Sequence, residues 1–475
     1  MISSASDRTL AAWLGAISTG LFGLAAALRL RAYPGGDEPH YLLQTLALIK
    51  YHSIDPTRAY ENRDYWSFYP GELAAHTSIA ANGAVLPLHN PGAPFLFALP
   101  YLLGGRGGVA IFQVLIAVLV VVNVFLLLRQ LEVRRSYATF VTVLLMIGSP
   151  IYVYASMLFV ELIGALAILY AVRQALAPRL SAARLVVASA GLGYLPFVHG
   201  RFVIFTLTGG ALLAVRVFAE VGRRKVWPYV WALGPLVVIG GAVEGFILLR
   251  YGSLNPAAGN ANLGAGVFQV PFHEGFGSLL FDRVYGLIPY FPVMALAIPG
   301  IILSWQRRLA WVHIVLLGTV LPYLLAVCTF GFWWGGFSPP ARFLSAIVPL
   351  LAFYVAVCLV RVNRWWLNTL AGLAALWGFA VSFLGDLKPR ERFDSGYHAG
   401  RLLMDRVSGH VGIDNLGRFF PSLLLPGPDV ALFVFWSLTV VALSLFVWAM
   451  GRRRTPEMVI EGLPEIRFTV PSSPR

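Results

Sequence analysis

The string LAAWLGAISTGLFGLAAALRL, residues 10–30, is followed after a short break by Gly36-Asp37-Glu38-Pro39-His40-Tyr41-Leu42. The first string holds a single charge, Arg29. It is long enough to cross a bilayer as a helix, which takes roughly 20 apolar residues. It is too long for the apolar core of a typical signal peptide and lacks a clear small-x-small cleavage site, so it reads as a retained membrane helix. Tyr33-Pro34-Gly35-Gly36 breaks that helix. Two adjacent carboxylates therefore stand at the mouth of the first crossing, which points to chemistry at the bilayer surface.

The rest of the chain repeats this apolar theme. Of 475 residues, 58% are hydrophobic and 12% charged, where soluble domains carry about 25% charge. Mean hydropathy is +0.73. Further apolar runs cover 108–128, 137–153, 157–175, 185–199, 203–219, 229–249, 287–303, 311–331, 343–360, 366–384 and 429–450. With 10–30 they predict an all-α polytopic membrane protein of about twelve transmembrane helices. The run 93–103 is too short to span. Pro91, Pro94 and Pro100 argue against a lipid-facing helix there, so it reads as a short or re-entrant segment. Residues 1–454 form one membrane module, and 455–475 a polar, flexible tail.

Charge orients the module. The connectors carrying Arg129, Arg134, Arg135, Arg173, Arg179, Arg184, Arg223, Arg224, Lys225, Arg307, Arg308, Arg361, Arg364 and Arg452 to Arg454 contain few acids. The positive-inside rule places them, and both termini, in the cytoplasm. The outer face then receives loops 31–92, 250–286 and 385–428, with the shorter 332–342. The net charge of +14 is thus a topology signal and not a nucleic-acid footprint. Cys328 and Cys358 each lie inside an apolar run, so a disulfide is not expected and the ligand count excludes a zinc site. The spans lack the lining of polar residues a channel needs. Glu161 and Glu244 are their main carboxylates, both near an outer end. No Walker loop or dinucleotide fingerprint is present.

Pro39 suits the first turn of a helix, and Asp37 or Glu38 then meets the favourable field at its start. The segment 40–51 is amphipathic enough to lie along the interface. One reading of the pair is an acidic helix cap. The other is a general base, since a carboxylate near an acceptor hydroxyl can take its proton. Further strings stand on the same face: His89-Asn90-Pro91-Gly92, Leu195-Pro196-Phe197-Val198-His199-Gly200-Arg201, and Trp333-Trp334-Gly335-Gly336-Phe337-Ser338-Pro339-Pro340-Ala341-Arg342-Phe343.

Together these strings resemble the GT-C superfamily of membrane glycosyltransferases, in the group that contains the protein O-mannosyltransferases and the lipid A aminoarabinose transferases. The resemblance covers roughly residues 8–450. It implies a GT-C fold with interfacial helices in the first outer loop, and a catalytic acid at Asp37 with Glu38 as the second acid. It also implies a polyprenyl-phosphate-linked sugar as donor. The resemblance leaves the acceptor as a glycan, glycolipid or protein and, with the charge pattern, implies an enzyme among the lipids of a plasma membrane with its site facing the outside or periplasm. The chain departs from both branches, with no inserted lumenal domain and no outer C-terminal domain, so acceptor specificity is not carried over.

The remaining candidates are ranked by charge and place. Arg201 and Arg342 are candidates for the donor phosphate, because a guanidinium grips phosphate with two parallel hydrogen bonds. Arg201 reads equally as an arginine snorkelling from a helix end. Arg342 starts an apolar run, where an unpaired charge is costly. His199 assists the phosphate or makes a structural hydrogen bond. Glu161 positions acceptor, holds a divalent ion, or neutralises Arg201. His89 and Asn90 line a sugar pocket or make a turn. Tyr65 offers a ring for a sugar face or an interface anchor. His273, Asp282 and Arg283 belong to a polar cluster that shapes the substrate region. A divalent cation, magnesium or manganese, is an optional helper, with Asp37, Glu38 and Glu161 as its possible ligands.

The resulting expectation is an inverting glycosyltransferase. Asp37 deprotonates the acceptor, and arginines stabilise the departing phosphate. The rival is a transporter or flippase for a lipid-linked saccharide that makes no glycosidic bond.

Overall fold

The computed structural model describes residues 5–80, 82–222, 225–252, 254, 269–387, 409, 412, 416–423 and 429–452. The tail 455–475, Arg223, Arg224, Arg453, Arg454 and most of the 385–428 loop lie outside the described residues. The described residues are mostly helical, with one two-stranded sheet.

Seven helices are long and apolar enough to cross a membrane. They are α1 (Ala5–Arg29), α4 (Gly92–Gln130), α9 (Val203–Val221), α10 (Trp227–Tyr251), α13 (Ala310–Thr329), α15 (Trp365–Leu387) and α16 (Val430–Arg452). By length and composition the chain is a multi-pass membrane protein. Shorter helices occupy the other apolar runs: α5 (Arg135–Ile147), α6 (Ile151–Tyr154), α7 (Glu161–Ala175), α8 (Ala182–Val198), α12 (Ala297–Ser304) and α14 (Val348–Val362). The 3₁₀ turn Pro292–Leu296 leads into α12.

Burial separates core from periphery. Helix α14 is buried on nearly every side. Helices α10 and α16 instead present Val237, Val238, Leu249, Val434, Leu438 and Leu445 outward. Apolar side chains exposed in such rows face lipid, because water would penalise them at about 25 cal/mol per Å².

The run 93–103 is the first limb of α4. At 39 residues, a straight helix would reach about 58 Å, twice the hydrocarbon thickness of about 30 Å. Gly104 and Gly105 break it with non-helical backbone angles. Just past the break, Arg106 Nη1 donates to the Ala32 carbonyl beyond α1 at 2.6 Å. At the far end of the second limb, Arg129 Nε reaches Asp7 at the start of α1. The second limb therefore runs antiparallel to α1.

The same contacts sort the bundle's two ends. At one end, Asp7 pairs with Arg129 and Arg135, Arg216 donates to the Ala177 carbonyl, and Tyr137 donates to Asn363. This end gathers the basic connectors. At the other end the chain between α1 and α4 folds over the helix mouths as α2 (Glu38–Tyr51), α3 (Thr57–Glu61) and an antiparallel hairpin of β1 (Thr77–Ile79) and β2 (Val85–Pro87). The first half of α2 is buried along its whole circumference, so it is packed into the fold and does not float on an interface.

Candidate active site

Gly36 adopts φ +57°, a left-handed conformation that L side chains rarely take. A methyl group there would also lie 2.2 Å from the Phe337 carbonyl oxygen. Bare backbone at Gly36 thus lets the loop 332–342 close onto the start of α2. Asp37 occupies the N-cap position, but its side chain makes no capping bond. It accepts from Arg342 Nη2 at 2.5 Å instead. The backbone carbonyl of Asp37 serves the helix, accepting from the His40 and Tyr41 amides.

Glu38 points the other way. Its carboxylate accepts the Gly35 amide at 3.0 Å and the Leu158 amide at 2.9 Å, with Arg29 at 4.0 Å. It is buried and fastens the α1–α2 turn to the chain before α7. The two adjacent acids therefore serve different partners.

Glu161, at the first turn of α7, joins the two candidate phosphate ligands. Its Oε1 accepts from Arg201 Nη2 at 2.7 Å and from Arg342 Nε at 2.8 Å, and its side chain has no solvent exposure. Arg342 Nη1 donates to the Gly335 carbonyl at 2.6 Å. The result is a continuous charged chain, Asp37–Arg342–Glu161–Arg201. Two carboxylates and two guanidiniums cancel. Among the described residues, Glu161 Oε2 and Arg201 Nε make no hydrogen bond. His199 Nε2 lies 3.1 Å from Arg201 Nη1. The faces of Phe159 and Phe343 lie against the two guanidiniums, a contact that favours a cation over an aromatic ring.

The string from His89 to Gly92 docks this end of the fold. Asn90 Nδ2 donates to the Pro196 carbonyl at 2.9 Å. A side chain at Gly92 would strike the Phe197 backbone at 2.4 Å. His89 is thereby held with Nε2 3.8 Å from Asp37 Oδ1. The hairpin, which pairs Thr77 with Pro87, brings His76 beside it, with Nδ1 3.2 Å from His89 Nε2. His40 stacks on His76 at 3.5 Å, and its Nδ1 is 2.7 Å from the Tyr60 hydroxyl. His76 and His40 were not among the candidates read from the sequence. Asn82-Gly83 between two β-branched segments is a hairpin signal that would have placed 76 near 89.

Burial opposes charge on Asp37, but Arg342 and then the histidines outweigh it and hold the carboxyl well below its usual range. Burial pushes His89 down to about 4, with Asp37 resisting, and lowers His76. Burial together with its two histidine neighbours lowers His40 to about 2. Asp37 is therefore ionised and the three imidazoles neutral at pH 7.

The other candidates lie outside this cluster. Asp282 is buried and accepts the amides of Val284, Tyr285 and Leu423. It shapes the turn whose Tyr285 carbonyl accepts the Ala341 amide, and so supports Arg342 from behind. The Arg283 backbone joins the same turn, its carbonyl accepting from the Tyr290 hydroxyl. Tyr65 is buried against Tyr60. His273 stands on α11 (Phe272–Phe281) with its side chain 80% exposed, 3.9 Å from Glu274. The carboxylates Asp37, Glu38 and Glu161 do not converge on one point: Glu38 turns away and Glu161 is engaged by both arginines. Among the described residues, the group able to hold a metal ion is Asp37, His76 and His89.

No protein-family model matches the chain, and no curated protein matches it. The functional reading therefore rests on this geometry.

Proposed function

We propose that the protein is an inverting glycosyltransferase of GT-C type that moves a sugar from a polyprenyl phosphate to an acceptor hydroxyl. The observation that carries the reading is the charged chain from Asp37 to Arg201 at one end of the bundle. It puts an ionised carboxylate on Arg342 and, through the shared Glu161 carboxylate, links it to a second arginine, Arg201, whose Nε makes no hydrogen bond among the described residues. A phosphodiester arriving beside Arg201 and Arg342 would compete with Glu161 for their N–H groups. As the bond from the anomeric carbon to phosphate breaks, the electron pair passes to phosphate oxygen, and the guanidiniums stabilise the growing charge. The acceptor oxygen attacks from the opposite face, and its proton passes to Asp37. Arg342 makes Asp37 a weak base. That suits a displacement in which the acceptor proton leaves late, once the new bond has acidified it.

In this reading the seven long helices, the four shorter apolar ones and α7 together make the twelve crossings. The end that gathers the basic connectors is cytoplasmic, and the Asp37 end faces outward. The activity is tested with purified protein, a polyprenyl-phosphate sugar and a panel of acceptors. Release of polyprenyl phosphate coupled to a new glycosidic bond supports the reading. Lipid movement across vesicles without any glycosidic product would replace it with a flippase.

A further inference from the structure

We propose that Asp37, His76 and His89 form a binding site for one divalent transition-metal ion of the zinc class. Each of the three side chains offers one donor atom, and these atoms all lie within 4.8 Å of one another. His89 Nε2 faces two of them at once, His76 Nδ1 at 3.2 Å and Asp37 Oδ1 at 3.8 Å. A neutral imidazole nitrogen can donate to only one partner or accept from one. A cation between them satisfies all three. A tetrahedral ion with metal–nitrogen bonds of about 2.0–2.1 Å separates its ligand atoms by about 3.3 Å, close to the observed imidazole spacing.

The donor set selects the ion. Two imidazoles and one carboxylate suit zinc, iron or nickel, whereas magnesium and calcium take oxygen ligands. The exclusion of zinc from the sequence counted cysteines, and here the hairpin supplies imidazoles instead. Support comes from the surrounding groups. His40 stacks flat on His76, and the Tyr60 hydroxyl bonds His40 and accepts the His76 amide at 3.2 Å. These contacts fix the imidazole that must face the ion, as outer-shell groups do in metal sites. Asp37, Glu161, Arg201 and Arg342 sum to zero, so a bound divalent ion would give the site a net positive charge, which suits an anionic donor.

Three protein ligands leave a fourth position for water or a hydroxyl. Where the protein carries out the proposed transfer, a role that rests on that reading, the acceptor hydroxyl binds there and the ion makes its proton easier to remove.

The site is tested without donor or acceptor, so its failure is separate from failure of the transfer reading. Full-length protein carrying no polyhistidine tag is stripped with chelator and titrated with cobalt chloride. The expected result is one equivalent of Co²⁺ with the visible bands of a four-coordinate site. His76→Gln and His89→Gln should each weaken binding more than tenfold, and His273→Gln should leave it unchanged. X-ray absorption of the zinc-loaded wild-type protein needs no variant and should report two imidazole ligands. Absence of stoichiometric cobalt binding, equal binding in the His76 and His89 variants, or a zinc spectrum without imidazole would overturn the site.

Discussion

Asp37 holds its charge at the start of a helix without capping it, and that separates it from Glu38. An acidic cap bonds the first amides of its helix, whereas the Asp37 side chain bonds a guanidinium from 305 residues away in sequence. Asp37, Glu161, Arg201 and Arg342 were all legible in the sequence, because each is a charged group at the end of an apolar run. Their order in the chain of ion pairs was not, since ion pairing depends on which helix ends meet. Glu161 is the keystone of that order. Glu161→Gln removes a carboxylate that has no solvent exposure from between two guanidiniums. Breaking a buried pair this way costs about 3–5 kcal/mol, so the variant should denature at a clearly lower temperature or denaturant concentration in detergent. Unchanged stability would mean that the cluster is solvated. Arg342→Lys tests the fork itself. Lysine cannot serve Asp37, Glu161 and the Gly335 carbonyl together, and transfer should fall at least about 100-fold, of the order seen when a transition-state donor is lost.

The segment between α1 and α4 is the element in which sequence and structure diverge most. The sequence predicts an interfacial amphipathic helix at 40–51, and α2 is instead buried through its first half. Lone histidines carry no periodic pattern, so His40 and His76 gave no signal until the hairpin register joined 76 to 89. Gly36 is the hinge of the arrangement. Gly36→Ala meets both an unfavourable φ and the Phe337 carbonyl, so it should separate the 332–342 loop from α2 and abolish transfer while the spanning helices remain. Retained activity in that variant would contradict the placement. The histidines give the loop an acid sensitivity. Their folded values lie below the ordinary 6.5, His89 at about 4 and His40 at about 2, so the unfolded chain binds more protons as pH falls through 6.5. Stability should therefore be full above about pH 6.5 and decline toward pH 4. Asp37, lowered from 3.8, adds a further loss only below about pH 4. Thermal unfolding of chelator-treated protein from pH 7.5 to 4.5 measures the slope, and His40→Phe, which keeps a ring on His76, should flatten it.

Across the whole molecule, hydropathy revealed where helices form, since every apolar run contains one. It did not settle how many cross, because packed interior helices such as α14 need neither the length nor the lipid-facing surface of a full span. The two ends of the bundle differ in charge as the connectors suggested, and orientation can be measured directly. Cys328 and Cys358 are both buried, so they form a quiet background for labelling. His273→Cys should react with a membrane-impermeant maleimide in intact cells, and Arg364→Cys only after the membrane is opened. The reverse pattern would invert the proposed topology. The claim that binds these scales together is that Asp37 removes the acceptor proton in sugar transfer from a polyprenyl phosphate. Its most direct test is the rate of polyprenyl phosphate release by wild-type protein and by Asp37→Asn, both in nanodiscs with matched donor binding. The account expects release by the wild type and a loss of at least about 100-fold in the variant. Equal release by the two proteins would contradict it.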